Sequence, residues 1–230
     1  MYLVTSATQF EMQPFKAACL SIDRVQCLVT GIGPMETSVR LFSWLRGHAE
    51  QVKGVVNIGV AGAYIPSAGG QGPQLLDICL AEEEVLGDLG ICLENHVERF
   101  VGKDLKVPDS FVMDRELIEK ARTVLDSLGI SHYSGTFVTV NCASGTAARG
   151  RLLADQYNGL CENMEGAAVT RVCSEFSLPC LEVRCISNLV ENRDPSRWKL
   201  QKACRHSGEV AAKIVDYLVN SDDNLPGGVQ

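Results

Sequence analysis

The chain has 230 residues, 46% of them hydrophobic, with a formal net charge of -7. That length and apolar share suit one sizeable core, and the negative charge repels nucleic acid and anionic membrane surfaces, so neither is expected as a partner. No stretch approaches the roughly 18 apolar residues of a membrane span, the N-terminus lacks a basic region followed by a long apolar one, and ten scattered cysteines without a CxxC pair read as buried free thiols of a reducing cytoplasm.

Short β-rich runs alternate with helical patterns, the signal of α/β layering. Tyr2 to Thr5 and Cys27 to Thr30 read as strands, each followed by a helix, over Phe10 to Leu20 and Glu36 to Arg46. Val55 to Val60 is short, branched and bounded by glycines, as a central strand covered on both faces should be. Leu75 to Leu86 begins as a strand and turns acidic, and Gly87 to Pro108 reads as loops and short strands. Asp114 to Leu128 is an amphipathic helix with an acidic start and Gly129 at its end. Strands over Ser134 to Val140, Leu160 to Met164 and Leu181 to Ile186 alternate with helices over Thr146 to Tyr157 and Gly166 to Phe176. A long helix over Ser196 to Val219 closes residues 1–220 as one domain, with 221–230 as a frayed tail.

Polar residues that interrupt the ends of strands are the first place to look for chemistry, because open α/β sheets hold their ligands there. Glu11 follows the first strand, and alone it reads as a solvated carboxylate in a helix's first turn. Glu165 breaks an apolar strand-to-helix junction, where an unpaired carboxylate is costly unless a partner or ligand satisfies it. Ser187 and Asn188 follow Leu181 to Ile186, and asparagine alone reads as a turn cap. Val60-Ala61-Gly62 ends the central strand and lets a ligand approach the backbone. Gly31 to Pro34 reads as a tight turn into a helix and lacks the full dinucleotide fingerprint. The four histidines are isolated, so neither a metal nor a cofactor is expected.

Three segments taken together, Val56-Asn57-Ile58-Gly59-Val60-Ala61-Gly62, Asn163-Met164-Glu165-Gly166-Ala167-Ala168 and Val183-Arg184-Cys185-Ile186-Ser187-Asn188, resemble the signature of the purine nucleoside phosphorylase and hydrolase superfamily. The resemblance implies a three-layer αβα sandwich around a central mixed sheet, a small-molecule nucleoside as substrate and a homo-oligomer. Within that superfamily, Ser187 to Asp194 with Trp198, and Gly87 to Gly90 upstream, are similar to futalosine hydrolases, which split futalosine into hypoxanthine and dehypoxanthine futalosine in a route of menaquinone biosynthesis. Methylthioadenosine/S-adenosylhomocysteine or aminodeoxyfutalosine nucleosidase, purine nucleoside phosphorylase and a non-catalytic nucleoside-binding protein are the alternatives. Phosphorylases of this fold resemble one another in an arginine on the central strand that holds phosphate and a serine three residues later; those places here fall on Asn57 and Val60, which implies water as nucleophile.

The resemblance implies that Glu11 activates water, that Glu165 binds the ribose hydroxyls and stabilises the oxocarbenium-like cation, and that Asn188 stabilises the leaving base. Asn188 stands where adenosine-type nucleosidases carry aspartate, and its amide offers an NH2 to a 6-oxo group and a carbonyl to a protonated N7, which suits hypoxanthine. Ser187 is expected to orient Asn188, and Val60, Ala61, Gly62, Asn163 and Met164 to line the pocket. Arg193 is expected either to meet the carboxyphenyl end of futalosine or to pair with Asp194. Asparagine is no general acid, so this reading leaves the source of the N7 proton open.

Overall fold

The computed structural model describes residues 1–66, 71–100 and 107–223. Strand Tyr2–Ser6 (β1) is buried along its whole length and pairs in parallel with Val25–Val29 (β2) on one side and Gly54–Ala63 (β3) on the other. Beyond Asn57, β3 continues in parallel beside Cys180–Leu189 (β10). The remaining partners are Ile78–Leu86 (β4), Ser110–Val112 (β7), His132–Thr139 (β8) and Gly159–Asn163 (β9). Parallel and antiparallel pairs mix: β10 runs antiparallel to β4, β4 parallel to β8, β8 parallel to β9, and β9 antiparallel to the end of β3. Since β9 and β10 both hydrogen-bond β3, the sheet closes on itself through β3, β10, β4, β8 and β9. Ile91–Cys92 (β5) and Val97–Glu98 (β6) form a separate two-stranded ribbon.

Helices cover both faces of the sheet. Gln9–Ala18 (α1), Arg115–Ser127 (α3) and Leu200–Asp223 (α6) pack on one side, and Pro34–His48 (α2) against Gly166–Glu175 (α5) on the other. Ala147–Tyr157 (α4) lies over β9 and β8. This is the expected α/β fold, three layers about a central mixed sheet, and the capping chemistry behind it is local. Thr8 and Glu11 make a reciprocal capping box at the start of α1, Asp114 accepts the Leu117 N–H at 2.9 Å, and Gly129 ends the α3 segment at φ +63°.

Several boundaries differ from the sequence reading. The closing helix starts at Leu200 after a 3-10 turn over Pro195–Arg197, because Asp194 caps that turn through Ser196 instead of starting an α-helix. It runs on to Asp223, into the stretch expected to fray, and the rest of that tail, 224–230, lies outside the described residues, as does 101–106 of the irregular Gly87 to Pro108 stretch. All ten cysteines are free, but Cys92 and Cys142 are exposed, since both lie at the irregular rim and not in the apolar runs of the core. Among the described residues no helix is long and apolar enough to cross a membrane.

Candidate active site

The ends of β1, β3, β9 and β10 surround a cavity of about 450 Å3, and all ten residues singled out in the sequence line it. Four junctions carry most of the polar wall, namely the turn into α1, the end of β3, the step from β9 into α5 and the end of β10; Val140, Ala143 and Ser144 after β8, Ile32, Arg193 and Trp198, and the start of α6 complete it. At the end of β10 its pairing with β3 shifts register between Ile186 and Asn188, leaving Ser187 as an extra residue. Adjacent residues of a regular strand face opposite ways; the bulge is what brings both Ser187 and Asn188 to the cavity.

Glu11 is only 7% exposed, so it caps the first turn of α1 without being the solvated carboxylate that its position alone suggests. Its Oε2 accepts the Thr8 N–H at 3.0 Å and the Thr8 hydroxyl at 2.8 Å, completing the α1 cap, while Oε1 accepts the Val60 N–H at 3.3 Å and turns toward the cavity. Burial raises its pKa above the ordinary carboxylate range, although the Arg184 guanidinium pulls the other way. Glu165, 4% exposed, has the partner that its position demands: Oε2 accepts from Arg184 Nη2 at 3.3 Å and Nη1 at 3.4 Å, and Oε1 accepts the Gly33 N–H at 3.1 Å. Its burial is therefore explained within the protein, and the case for chemistry rests on where it faces.

Arg184 is 2% exposed and sits in mid-strand among apolar neighbours. Its Nε donates to Glu182 Oε1 at 2.8 Å and its Nη1 to the Val60 carbonyl at 3.2 Å. Burial works against the charged form, but Glu182, Glu165 and Glu11 outweigh it and hold the guanidinium protonated. Gly59 makes this close meeting feasible: a Cβ there would lie 2.6 Å from Arg184 Nη1 and 2.7 Å from Glu11 Oε1. The carboxylates facing the cavity are thus gathered around one cation.

A buried polar layer lies beneath. Glu84 Oε2 accepts the Thr139 hydroxyl at 2.7 Å and its Oε1 the Asn163 amide at 2.5 Å; Glu182 Oε1 also accepts the Asn57 amide at 3.1 Å. Glu84 and Glu182 meet side chain to side chain, and loss of solvent, with each other's charge adding to it for Glu84, raises the pKa of both carboxyls, so the pair retains a proton where exposed carboxyls have lost theirs. Asn163 Oδ1 accepts the N–H groups of Glu165 at 2.9 Å and Gly166 at 2.7 Å, fixing the turn that aims Glu165.

These contacts correct several expectations. Asn163 lines the cavity, but its Oδ1 is engaged by the turn and one N–H of its amide by Glu84, so it serves the layer beneath at least as much as the cavity. The polar backbone groups of Val60 serve Glu11 and Arg184, and the Ala61 carbonyl lies 3.2 Å from Ser187 Oγ, so these residues contribute wall more than hydrogen bonds. Asn57 faces the layer below, where it accepts the Thr5 hydroxyl at 3.0 Å, and not the cavity. Arg193 does not pair with Asp194; its guanidinium lies 4.6 Å over the Trp198 ring, and its backbone N–H donates to the Gly145 carbonyl.

Ser187 does lie against Asn188, with Oγ 2.8 Å from Asn188 Oδ1, and Asn188 Nδ2 donates to the Leu189 carbonyl at 3.3 Å. The Ser187 hydroxyl has one proton for two acceptors, Ala61 O and Asn188 Oδ1, so it orients one at a time. Sequence reasoning gave no role to Arg184, Glu162, Phe10 or Trp198, which share the cavity. Arg184 had a signal: a charge in the middle of a buried strand must be paired. Trp198 entered only through the family resemblance, and Glu162 and Phe10 had no signal, because their neighbours come from distant parts of the chain.

The phosphorylase superfamily model matches residues 13–220. The chain belongs to that superfamily. Superfamily relatives of known activity include a 5′-methylthioadenosine/S-adenosylhomocysteine nucleosidase of Shewanella loihica, 26% identical over 94% of this chain and 94% of its own length. A futalosine hydrolase of Thermus thermophilus is 29% identical over 76% of this chain and 74% of its own. Among solved structures, a futalosine hydrolase mutant of Helicobacter pylori superposes with a TM-score of 0.79 at 20% identity, covering 94% of this chain and 98% of that one. A 5′-methylthioadenosine/S-adenosylhomocysteine nucleosidase of the same organism gives 0.79 at 18%, covering 94% and 97%. The superfamily fold is common to both kinds of enzyme.

Proposed function

We propose that this chain hydrolyses the N-glycosidic bond of futalosine, releasing hypoxanthine and dehypoxanthine futalosine. The observation that carries the reading is that Glu11 and Glu165 face one cavity that ends at Asn188, where an amide stands in place of a carboxylate. Nucleosidases and futalosine hydrolases among its relatives support an enzyme that hydrolyses nucleosides; the choice of a 6-oxo purine is the finer step. Bond cleavage builds positive charge on the ribose, and Glu165, held in place by Arg184 and Gly33, supplies fixed negative charge beside it. Glu11, whose raised pKa suits a general base, takes a proton from the attacking water. Asn188 donates from its NH2 to O6 of the base, and its carbonyl accepts a hydrogen bond from N7–H once N7 is protonated.

Futalosine carries a long carboxyl-bearing arm, and a second hollow of about 400 Å3 shares Phe10 and Cys204 with the cavity and holds Gln13, Gln201 and Arg205. That hollow, which Glu209 also lines, supports Arg205 as the cation for the carboxyl end, in preference to Arg193, whose guanidinium is stacked on Trp198. The reading places the enzyme in the cytoplasm, in menaquinone biosynthesis, as a homo-oligomer. An exposed apolar stripe on one face of α2, Met35, Val39 and Phe42, supports the last point.

Turnover of futalosine, aminodeoxyfutalosine, methylthioadenosine and inosine, each with and without phosphate, tests the assignment. Phosphate-independent release of hypoxanthine from futalosine is expected. Preference for the adenine substrates would make the chain an adenine nucleosidase, a ribose 1-phosphate product would make it a phosphorylase, and tight binding without turnover would leave only a nucleoside-binding protein.

A further inference from the structure

Asn188 lacks a titratable proton, so the reaction as derived has no acid for the leaving base. Gly62 pairs directly with Asn188 of β10 on one side and with Glu162 of β9 on the other. Directly opposed residues project from the same face of a sheet, so the three form one cross-strand row. Its middle member has no side chain: a Cβ at residue 62 would stand 2.9 Å from Val190 Cγ2, 3.0 Å from Asn188 Nδ2 and 3.6 Å from Glu162 Cγ, so the amide and the carboxyl both border the space above Gly62, beside Val190. Nothing from β3 separates the amide from the carboxyl, and both line the cavity.

Glu162 is 7% exposed and only half satisfied. Oε1 accepts the Ser144 N–H at 2.8 Å, while Oε2 is buried without a hydrogen bond of good geometry, as are the Tyr64 and Ser144 hydroxyls beside it. A buried oxygen left in this state costs free energy unless a ligand meets it or it holds a proton to donate. From this geometry we propose that Glu162 is the general acid that protonates the departing purine, an inference that rests on the nucleoside hydrolase reading above. As the C1′–N9 bond breaks, its electron pair stays with the purine, and the Glu162 proton passes to N7 directly or through one water. The attacking water gives its oxygen and one hydrogen to C1′ and its other proton to Glu11; solvent then returns a proton from Glu11 to Glu162.

The surroundings agree with a carboxyl that holds its proton. Burial raises the Glu162 pKa, and its charged or polar neighbours, Ser144, Tyr64 and Arg149, offset this only in part. Arg149 is itself drawn to Asp88, 3.5 Å away. Glu162 must be protonated to act, so turnover falls as pH rises through its raised pKa.

The test compares wild type with Glu162→Gln on the purine nucleoside turned over best and on 4-nitrophenyl riboside, whose nitrophenolate leaves without a proton. The variant is expected to lose about 10²- to 10⁴-fold in kcat on the purine substrate. It should stay within about threefold on the nitrophenyl riboside, keep its melting temperature, and lose the alkaline limb of the pH profile. Tyr64→Phe deletes a hydroxyl that lowers the Glu162 pKa, and should move that limb upward. Equal losses on both substrates, an alkaline limb that persists in Glu162→Gln, or a limb unmoved in Tyr64→Phe would overturn the role of Glu162 while leaving the hydrolase reading intact. A wild type that releases no base from any nucleoside would instead remove the hydrolase reading, and this role with it.

Discussion

The two ends of the cavity are built on opposite principles. At the Glu11 and Glu165 end the charges are already balanced: each carboxylate oxygen has a donor within the protein, and Arg184 neutralises the group from below. At the Asn188 and Glu162 end the engagement is partial: the Asn188 amide bonds Ser187 and the Leu189 carbonyl but keeps one N–H free, and Glu162 Oε2 is buried without a hydrogen bond of good geometry. The contrast teaches what each end is for. A transition state with positive charge on the sugar is best met by dipoles and charges that need no rearrangement, so the first end is preorganised. A base that changes its protonation as it leaves is best met by groups whose hydrogen bonds the ligand itself completes, so the second end is left open.

The largest effect should come from the balanced end. Glu165→Gln keeps the size of the side chain and removes the fixed charge, and kcat is expected to fall about 10³-fold with little change in melting temperature. Retained turnover would break the comparison, since Glu165 would then be an anchor for Arg184 and nothing more. Glu11→Gln comes next, with a loss of about 10²-fold in kcat. Because Glu11 must be ionised to accept a proton and burial raises its pKa, wild-type activity should fall as pH falls through a value above the ordinary carboxylate range. The variant should lose that acid limb, whereas the amide oxygen still serves the Thr8 cap, so its stability should change by only about 1 kcal/mol in a urea titration.

How much of this was legible in the sequence differs between the same two ends. The layering, the central strand and the capped helices follow from periodicity and caps, local signals that folding preserves. Glu11 and Glu165 could be found as carboxylates at strand ends. At the base end Ser187, Asn188 and Gly62 could be picked out, but Glu162 and the arrangement could not, because they depend on pairings between distant segments: the bulge at Ser187 and the row through Gly62 exist only once β9 and β10 flank β3. The closure of the sheet and the strand β7 were equally invisible, since three residues at Ser110–Val112 carry no alternation to detect. Asn163 was half legible for a related reason: its place in the motif reads as substrate contact, and only the buried Glu84 beneath it shows where one N–H of the amide is used.

A smaller effect sharpens the open end. Asn188→Asp replaces a permanent NH2 donor with a group that accepts when ionised, so the ratio of kcat/KM for the 6-amino over the 6-oxo substrate should rise about tenfold or more. Steady-state kinetics on futalosine and aminodeoxyfutalosine measure it. An unchanged ratio would mean that the base edge is read elsewhere, and the contrast between an engaged end and a partly engaged one would then be architectural without being chemical.

The smallest effect lies below both ends and concerns stability alone. Glu84 and Glu182 are buried together, and burial raises the pKa of both carboxyls, so the pair keeps a proton to higher pH than carboxyls in the unfolded chain do. The folded state therefore binds more protons than the unfolded state once pH passes the unfolded carboxyl value of about 4.3. Stability is full below that value and declines as pH rises toward the raised values of the pair. Glu84→Gln puts a neutral amide where the protonated acid sits; its NH2 can donate to Glu182 and its carbonyl can accept from Asn163. The difference in melting temperature between pH 5 and pH 9 should shrink by about 2–4 °C relative to wild type. Because Glu84 does not line the cavity, the pH profile of kcat should keep its shape. If the profile changed as well, the buried pair would be coupled to the reacting groups through Arg184, and the balanced end would owe its charge state to a layer that never meets the substrate.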